Sequence, residues 1–316
     1  MGHQVVLYDN LSNSNDGVLK KLTQITNTHI PFVKGDVRDT PLLGSTLTKH
    51  NIDAVIHFAG LKAVGESVEK PVDYYANNVQ GTVSLLQAMQ THNVKSLVFS
   101  SSATVYGQPQ YLPLDENHPT HAINPYGRSK LHIEEMLSDL AVSDADWKIA
   151  CLRYFNPVGA HESGLIGENP NGVPNNLMPY IAQVAAGQRE ELNVFGDDYP
   201  TPDGSGVRDY IHVMDVAEGH EAALKFLTQA VWWHAINLGT GKGYSVLEML
   251  HTFEKASGRE VPYKVVDRRA GDAAQCYANP QKAAELLGWS AKRSLDDMCE
   301  STWRFQHQAF ESVAGS

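Results

Sequence analysis

Short apolar runs recur through the first half of the chain, and each is followed by a stretch with helical spacing. The runs occupy residues 4–8, 30–34, 54–58, 97–100 and 149–154. Amphipathic stretches lie between them, over residues 79–89 and 129–140 among others. Buried strands that alternate with helices predict a parallel sheet covered on both faces. The sequence therefore predicts an α/β fold with a doubly wound parallel sheet, which binds ligands at the carboxyl ends of its strands.

The pattern changes after Asn156 and Pro157. Residues 157–175 and 196–206 are rich in glycine, proline and polar residues and predict long loops, whereas residues 176–186 predict a helix. Residues 209–213, a helix through Leu227 and residues 235–238 resemble a return to the sheet. We therefore predict two domains. Residues 1–156, joined by 209–240, would bind a dinucleotide, and residues 157–316 would mainly form a smaller mixed α/β domain for the substrate.

Composition and charge argue against several classes of protein. The net charge of −11 disfavours a broad surface for nucleic acid or anionic membrane. No apolar run approaches the length of a membrane span, and the N-terminus lacks a signal-peptide pattern. The three cysteines, Cys151, Cys276 and Cys299, form no CxxC pattern. We therefore expect no disulfide framework and no metal site, and we expect a cytoplasmic protein.

The first predicted strand lies at the very start of the sequence. Dinucleotide-binding units open with a strand, a glycine-rich turn and a helix, and an acid about 20 residues after the glycines binds the ribose hydroxyls. Asp9 has the context of that acid, although a helix N-cap is an equally good reading. Residues 239–243 contain the other glycine cluster, which lacks phosphate-loop spacing and predicts a turn. We thus expect the first strand and glycine-rich turn to lie upstream, and residues 1–316 alone to hold a cofactor poorly.

The clearest chemistry lies in Ser102, Tyr126 and Lys130. Tyr126 and Lys130 are four positions apart and so share one face of a helix, and Ser102 follows the preceding strand. A free tyrosine has a pKa near ~10, too high for a base at neutral pH, and a nearby ammonium group lowers that pKa. The three residues predict a general base for a substrate hydroxyl. A tyrosine packed on a lysine stem at the surface is the simpler alternative.

Six long segments resemble the UDP-glucose 4-epimerase family, in order and over essentially the whole chain. They are residues 55–68, 99–108, 124–131, 152–162, 172–186 and 206–216. That family consists of extended short-chain dehydrogenase/reductases, so the resemblance implies a Rossmann-type fold and NAD as the cofactor. Related sugar-nucleotide dehydratases carry an Asp-Glu pair after the serine or threonine at the strand end. Here Ser102 is followed by Ala103 and Thr104, which disfavours dehydration.

The resemblance also implies roles for individual residues. Tyr126 would be the base and acid, Lys130 would hold the nicotinamide ribose, and Ser102 would bind the reacting hydroxyl. The other residues of the NAD site would be Asp9, Asn10, Asp36, Val37, Phe58, Ala59, Gly60, Lys62, Asn77 and Tyr154. The nucleotide sugar would be held by Asn156, Asn176, Leu177, Arg208, Arg269 and Asp272, with Asn193, Val194 and Phe195 beside the uracil and Cys276 beside the sugar.

Physical chemistry supports part of this assignment independently. Arginines such as Arg208 and Arg269 offer forked donors to a diphosphate, and a helix that begins near Asn176 offers backbone N–H groups to the same anion. Each arginine alone could equally be an ordinary surface charge. The resemblance, by contrast, is what places Cys276 where some relatives carry tyrosine and others a small residue. A small side chain there suggests room for the N-acetyl group of UDP-N-acetylhexosamines, although a small buried residue is the simpler alternative.

The implied activity is the reversible epimerisation of UDP-galactose to UDP-glucose, an isomerase reaction of galactose metabolism. It would pass through a 4-keto sugar with transient reduction of bound NAD. The alternatives are a catalytically inactive fragment and a related NAD-dependent dehydratase or decarboxylase. The resemblance further implies a homodimer through the helices near residues 75–92 and 125–140. The net charge of −11 argues against nucleic acid or membrane as a partner.

Overall fold

The computed structural model describes residues 2–170, 172–269 and 271–314, with side chains as far as residue 308. The chain divides into two compact units. Unit 1 contains residues 1–107, 119–153 and 220–236, and unit 2 contains residues 108–118, 154–219 and 237–316. The predicted division placed the first boundary at residue 156 and the return at residues 209–240. The observed return is shorter, and the excursion at 108–118 has no compositional signal that would reveal it.

The described strands and helices are numbered separately, each in chain order. The strands are β1 (Leu7–Asp9), β2 (Phe32–Lys34), β3 (Ala54–His57), β4 (Ser96–Ser102), β5 (Lys148–Tyr154), β6 (Asn156–Val158), β7 (Leu192–Phe195), β8 (Val207–Arg208), β9 (Tyr210–His212), β10 (Trp232–Leu238), β11 (Tyr244–Ser245), β12 (Tyr263–Val266) and β13 (Gln275–Cys276). The helices are α1 (Gly17–Thr26), α2 (Thr40–Lys49), α3 (Val64–Glu69), α4 (Pro71–Tyr74), α5 (Gly81–Thr91), α6 (Pro125–Ser143), α7 (Leu177–Ala185), α8 (Val213–Leu227), α9 (Val246–Ser257), α10 (Gln281–Leu287) and α11 (Leu295–Ala314). A π-helix, Tyr75–Gln80, joins α4 to α5.

The main sheet has the strand order β10-β5-β4-β3. Strands β3 and β4 are parallel, with Val55 opposite Leu97. Leu97 and Phe99 of β4 are fully buried and pack in one apolar core with residues of α5, α6 and β5. The α/β fold with a parallel sheet that the sequence predicts is therefore confirmed.

Strands β1 and β2 form a separate parallel pair, in which Leu7 lies opposite Phe32. Among the residues that the structure describes, no strand joins this pair to β3. Helix α1, which follows β1, has no buried residue. The carboxyl ends of β1 and β2 nevertheless lie side by side, since the Gly35 N–H donates to the Asp9 carbonyl at 3.1 Å.

Unit 2 is built from smaller sheets around its own core. β12 pairs with β7 in parallel, β8 pairs antiparallel with β11 and parallel with β13, and β6 pairs in parallel with β9. Met178 and Ile181 of α7, Phe253 of α9 and Met298 of α11 fill the core. The prediction that residues 209–213 return to the main sheet is wrong, because β9 pairs with β6 in a sheet of two strands. Residues 235–238 do belong to the main sheet, as part of β10.

Neither a membrane segment nor a metal cluster is found in the part of the chain that the structure describes. None of its helices combines the length and the apolar character needed to cross a membrane. No group of three or more His, Cys, Asp or Glu side chains is placed to hold a metal ion there.

Candidate active site

The end of β4 and the start of α6 bring Ser102, Tyr126 and Lys130 together. Helix α6 begins at Pro125, whose fixed φ suits the first helical position, and the Asn124 side chain caps it by accepting the Gly127 N–H at 2.8 Å. Tyr126 therefore lies in the first turn and Lys130 one turn later. Ser102 is the last residue of β4 and hydrogen-bonds the Tyr126 side chain.

Lys130 is buried against β4. Its Nζ donates to the Ser100 carbonyl oxygen at 2.6 Å and lies 4.8 Å from the centroid of the Phe99 ring and 5.9 Å from that of the Tyr126 ring. Burial lowers the pKa of the ammonium to about 8, because a charge is costly away from water. Lys130 therefore loses its positive charge at a lower pH than an exposed lysine does. The backbone of β4 holds it next to Tyr126.

The pKa of Tyr126 differs from the sequence-based expectation. We expected the neighbouring ammonium group to lower it, but burial of the hydroxyl raises it above the ordinary value, and the hydrogen bond with Ser102 offsets only part of that rise. Desolvation is the larger effect, because it disfavours the charged phenolate. In this state the tyrosine is a neutral phenol, and its use as a base requires a further positive charge close to its oxygen.

The loop after β3 approaches the same lysine. A Cβ atom added to Gly60 would lie 3.3 Å from Asn78 Oδ1 and 3.7 Å from Lys130 Nζ. Asn78, on the π-helix, accepts the Leu61 N–H at 2.8 Å and donates to the Leu61 carbonyl at 3.0 Å. The glycine thus keeps an open space beside the ammonium group, and Asn78 fixes the loop that borders it.

Other residues predicted for the cofactor lie around these strand ends. Asn77 shares the π-helix and donates to Asn78 Oδ1 at 3.0 Å. Phe58 is 57% exposed and stacks on His220 at 4.7 Å between ring centroids. Ala59 and Lys62 are exposed in the same loop after β3. Tyr154, the last residue of β5, belongs to unit 2.

The ends of β1 and β2 carry the acids predicted to bind adenosine. Asp9 accepts the Leu11 N–H at 2.6 Å, and because α1 begins only at Gly17, with Asp16 as its N-cap, the helix-cap alternative for Asp9 is wrong. Asp36 binds Arg38 through both carboxylate oxygens, each at 2.8 Å. The guanidinium holds the pKa of Asp36 well below its usual range.

Asn10 and Val37 complete this corner of unit 1. Asn10 Nδ2 lies 3.4 Å from Asp36 Oδ2, and Val37 is buried in the core. Two acids, an amide and an apolar side chain thus meet at the carboxyl ends of neighbouring parallel strands, where this type of sheet binds ligands.

In unit 2 the two predicted arginines share one carboxylate. Arg208 Nη2 lies 3.8 Å from Asp272 Oδ1, and Arg269 Nε lies 3.5 Å from Asp272 Oδ2. Arg208 also donates to the Ala273 carbonyl at 2.9 Å. Both arginines act on buried Tyr210, whose pKa burial raises to about 12 against their opposing charge. The structure therefore brings together a pair of cations with a carboxylate that fixes them.

The side chains of β7 divide between two faces. Val194 points into the core, whereas Asn193 and Phe195 lie on the opposite face of the strand. Arg269 covers the Phe195 ring at 4.2 Å. Asn193 Oδ1 is buried and has no hydrogen-bond partner among the described residues. An unpaired buried acceptor is costly.

The remaining predicted substrate residues lie on loops and strand ends of unit 2. Asn156 is exposed, and its backbone N–H donates to the Asp209 carbonyl at 3.0 Å. Asn176 is the N-cap of α7, but its side chain binds Glu168 at 2.8 Å and makes no cap bond. Helix α7 therefore begins at Leu177 with first-turn N–H groups that its cap leaves unbound. Cys276 pairs with Arg208 across β13 and β8.

One functional-looking cluster escaped the sequence reasoning. Asp209 is fully buried and accepts hydrogen bonds from the N–H groups of Thr240, Gly241 and Ala278 and from the Thr240 hydroxyl. The segment 239–243 was predicted as a turn, and the Asp209 carboxylate that binds it is the part that was not predicted. The signal in the sequence was Asp209 itself, an acidic residue placed between Arg208 and the buried strand β9.

Comparison with known proteins decides the family. The family model described as GDP-mannose 4,6 dehydratase matches residues 1–302. A UDP-glucose 4-epimerase of Mus musculus is 58% identical over 314 residues, which cover 97% of this chain and 90% of the mouse protein. The chain belongs to the UDP-glucose 4-epimerase family. The Bacillus subtilis member is 56% identical over 305 residues, 96% of this chain and 90% of that protein.

Solved structures of the family agree with this fold. The UDP-glucose 4-epimerase of Stenotrophomonas maltophila, with bound NAD and formylated UDP-arabinopyranose, superimposes with a TM-score of 0.97 at 52% identity, covering 98% of this chain and 93% of the other. The Rossmann-type fold that the sequence predicts is therefore confirmed.

Proposed function

We propose that the protein interconverts UDP-galactose and UDP-glucose at sugar carbon 4, with NAD as its cofactor. The observation that carries the proposal is the arrangement of Ser102, Tyr126 and Lys130, with Lys130 Nζ 2.6 Å from the Ser100 carbonyl. A sugar hydroxyl bound by Ser102 and Tyr126 would contact the Tyr126 oxygen, which is the proposed acceptor of its proton. Membership of the UDP-glucose 4-epimerase family supports this substrate.

The residues of unit 1 fit NAD. Gly60 keeps space beside Lys130, so the ammonium can donate to ribose hydroxyls with the hydrogens that Ser100 does not use. Asp9 and Asp36 offer carboxylates for the adenosine end. The chemistry that NAD supplies when bound is the reversible acceptance of a hydride from carbon 4, and its positive ring would add the charge that Tyr126 lacks.

Tyr126 would move the proton and Ser102 would orient the hydroxyl. Because burial raises the pKa of Tyr126, its proton affinity is high once it is ionised, which suits both removal and return of a proton. The 4-keto sugar would rotate to present its other face while its nucleotide stays bound. Return of the hydride to carbon 4 from that face, and of the proton to its oxygen, would invert carbon 4.

Unit 2 supplies a grip for the nucleotide. Arg208 and Arg269 are held by Asp272 and could donate in forks to a diphosphate. The nine-residue helix α7 could add backbone N–H groups at Leu177. The buried, unpaired Asn193 Oδ1 and the Phe195 ring suit the uracil, which offers an N–H group and a flat face. Such a grip would let the intermediate turn without leaving.

We propose further that UDP-N-acetylglucosamine and UDP-N-acetylgalactosamine are substrates. Cys276 is a small, partly buried residue on β13, opposite Arg208. If it lies beside the sugar, it leaves room for an N-acetyl group at carbon 2. Exclusion by a bulky wall is steric, so a small side chain removes it.

A homodimer is the assembly that we propose. The helices around residues 71–83 and α6 form an apolar groove of about 660 Å³, lined by Val72, Tyr75, Val79, Val83 and His132 among others. Val72 is 76% exposed. A second copy of the chain is the proposed occupant, because the groove lies on the same helices through which the family resemblance implies pairing. Covering it would bury valines that water otherwise contacts.

We propose the cytoplasm as the location. The three thiols are free, and Cys151 and Cys299 are buried, which suits a reducing compartment. This proposal would be tested by fractionating cells that produce the protein from its own gene and probing each fraction with an antibody.

A direct assay tests the proposed activity. Purified protein would be incubated with UDP-galactose and NAD, and the products would be separated by chromatography. UDP-glucose as product supports the proposal, and a 4-keto-6-deoxy sugar or released carbon dioxide would instead indicate a dehydratase or decarboxylase. UDP binding without any product would favour a catalytically inactive protein.

A further inference from the structure

Helix α6 carries a third buried polar residue on the face that presents the tyrosine and the lysine. Glu134 follows Lys130 by four positions, as Lys130 follows Tyr126, so the three form one row along the helix. Glu134 is 2% exposed and Lys130 is 4% exposed. The proton transfer proposed above gives this carboxylate no task, although burying it is costly.

The row on α6 matches three consecutive residues of β4. Ser102 hydrogen-bonds Tyr126, and the Ser100 carbonyl accepts from Lys130 Nζ. Ser101, between them, donates its hydroxyl to Glu134 Oε1. Strand β4 and helix α6 are therefore joined at three points. Glu134 is the one furthest from the start of the helix.

A buried ion pair fixes Glu134 from the other side. Arg153 on β5 donates from Nε to Oε1 at 3.0 Å and from Nη2 to Oε2 at 2.5 Å. Its Nη1 donates to the Tyr106 hydroxyl at 3.0 Å. Arg153 is 4% exposed and Tyr106 is 1% exposed. Such a two-point guanidinium–carboxylate pair fixes orientation as well as distance.

We infer that Glu134 is a positioning residue: its ion pair with Arg153 fixes the rotation of α6, and its charge keeps Lys130 protonated. The catalytic meaning of this inference rests on the function proposed above. The effect on Lys130 can nevertheless be measured without substrate or cofactor.

The charges around Lys130 support the electrostatic half of the inference. Burial is the main cause of its lowered pKa of about 8, and the Glu134 carboxylate acts in the opposite direction. The other titratable groups facing this region are Tyr126 on α6, Cys151 and Arg153 on β5, and His57 on β3. Burial keeps Cys151 a thiol by raising its pKa and keeps His57 neutral by lowering its pKa to about 3. Glu134 is therefore the charge that opposes the effect of burial on Lys130, and Arg153, which pairs with that carboxylate, carries the opposite sign.

Neutralising one partner at a time separates this role from a purely structural one. Glu134→Gln leaves the Arg153 cation unbalanced and should lower the pKa of Lys130. Arg153→Met leaves the carboxylate unbalanced and should raise it. Both changes weaken the same ion pair, so a merely structural role predicts changes in the same direction.

The test is an NMR titration of the protein labelled with ¹³C and ¹⁵N in lysine. Loss of a signal in Lys130→Met assigns the Lys130 side chain. We expect its pKa to fall by about half a unit or more in Glu134→Gln and to rise by a similar amount in Arg153→Met. Shifts in the same direction, or no shift in either variant, would overturn the inference.

The double variant Glu134→Gln/Arg153→Met covers the case in which a single variant does not fold, because it leaves no unpaired charge. We expect its Lys130 pKa to stay near that of the unchanged protein. We also expect kcat for epimerisation to fall about tenfold or more, with UDP binding preserved, because the helix has lost its fixed orientation. Unchanged kcat in a folded double variant would contradict the positioning role. An unchanged protein without activity would refute the proposed function and leave the titration to decide this inference.

Discussion

Cys276 lies directly opposite Arg208 in the parallel pairing of β13 with β8. The pairing holds the thiol beside one of the two arginines proposed to hold the diphosphate. Burial raises the pKa of Cys276 to about 11, so its side chain is neutral at physiological pH. A small neutral group at this point gives a direct prediction about substrate range.

Cys276→Tyr should suppress activity on UDP-N-acetylglucosamine while sparing UDP-galactose. A tyrosine ring would fill the space proposed for the N-acetyl group, and a steric wall of this kind discriminates by roughly 10- to 100-fold. The measurement is kcat/KM for both substrates. Cys276→Ala is the control and should leave the ratio unchanged. The absence of N-acetyl activity in the unchanged protein, or equal selectivity in the tyrosine variant, would argue against this pocket.

Tyr126→Phe should lower kcat by about 10²- to 10⁴-fold, the usual contribution of a general acid–base group. The change removes the phenolic oxygen and little else, so UDP should bind as before, which calorimetry can check. Ser102→Ala should lose less activity, because serine orients the hydroxyl without taking its proton. Near-normal turnover in Tyr126→Phe would remove the role assigned to this residue.

Lys130→Met should stabilise the protein at pH 7, and it should stabilise it by a smaller amount near pH 10. Lys130 has a folded-state pKa of about 8, below its unfolded value, so the unfolded state binds more protons between these two values. Stability therefore rises with pH in that window. The buried ammonium group costs about 3 kcal/mol at pH 7 by this difference.

Urea unfolding at pH 7 and pH 10 measures the effect. The methionine variant loses the hydrogen bond to Ser100, worth about 1 kcal/mol, so its net gain at pH 7 should be about 2 kcal/mol. A stability difference that does not change with pH would show that Lys130 is not a strained cation.

Asp209→Asn should destabilise unit 2. The carboxylate accepts four hydrogen bonds, two on each oxygen. An amide NH₂ would meet donors on one side, at a cost of about 1–3 kcal/mol. Asp198→Asn is the matched control, since Asp198 is 72% exposed in its ion pair with Arg268, and surface pairs contribute little. Equal melting temperatures for the two variants would contradict the role assigned to Asp209.

Val72→Asp should produce a monomer. Val72 is 76% exposed on the apolar groove, and a charge there would remain unpaired under a second copy. Size-exclusion chromatography with light scattering measures the mass. Val231→Asp is the control, because Val231 is 62% exposed and does not line the groove. A monomeric unchanged protein, or a dimer that survives Val72→Asp, would refute this interface.

The alternation of strands and helices in unit 1 was accessible to sequence reasoning because buried strands and amphipathic helices differ in period, whereas the order of the strands in the sheet was not predicted. The short runs predicted as strands at residues 97–100 and 149–154 lie within β4 and β5, and Asn124-Pro125 marks the start of α6. The same reasoning failed for β9, since a three-residue apolar strand does not reveal its partner. Tertiary pairing with β6 placed it outside the main sheet.

Sequence reasoning identified the chemical groups of the candidate site better than it predicted their electrostatics. The spacing of Tyr126 and Lys130 identified them, but the pKa of Tyr126 depends on how deeply its hydroxyl is buried, which the sequence does not report. Glu134 shares their helical face, and that periodicity could have singled it out. Its partners could not be found in this way, because Arg153 lies 19 positions further on.

Neither compact unit is a continuous stretch of chain. The last segment of unit 1, residues 220–236, follows the long unit 2 segment 154–219. During synthesis β5 therefore waits for β10, its neighbour in the main sheet, until the whole unit 2 segment 154–219 between them has been made. An unpaired strand edge on a growing chain can recruit strands of other molecules. The order of translation thus exposes this protein to misassembly at β5, and no single cut in the polypeptide can release either unit intact.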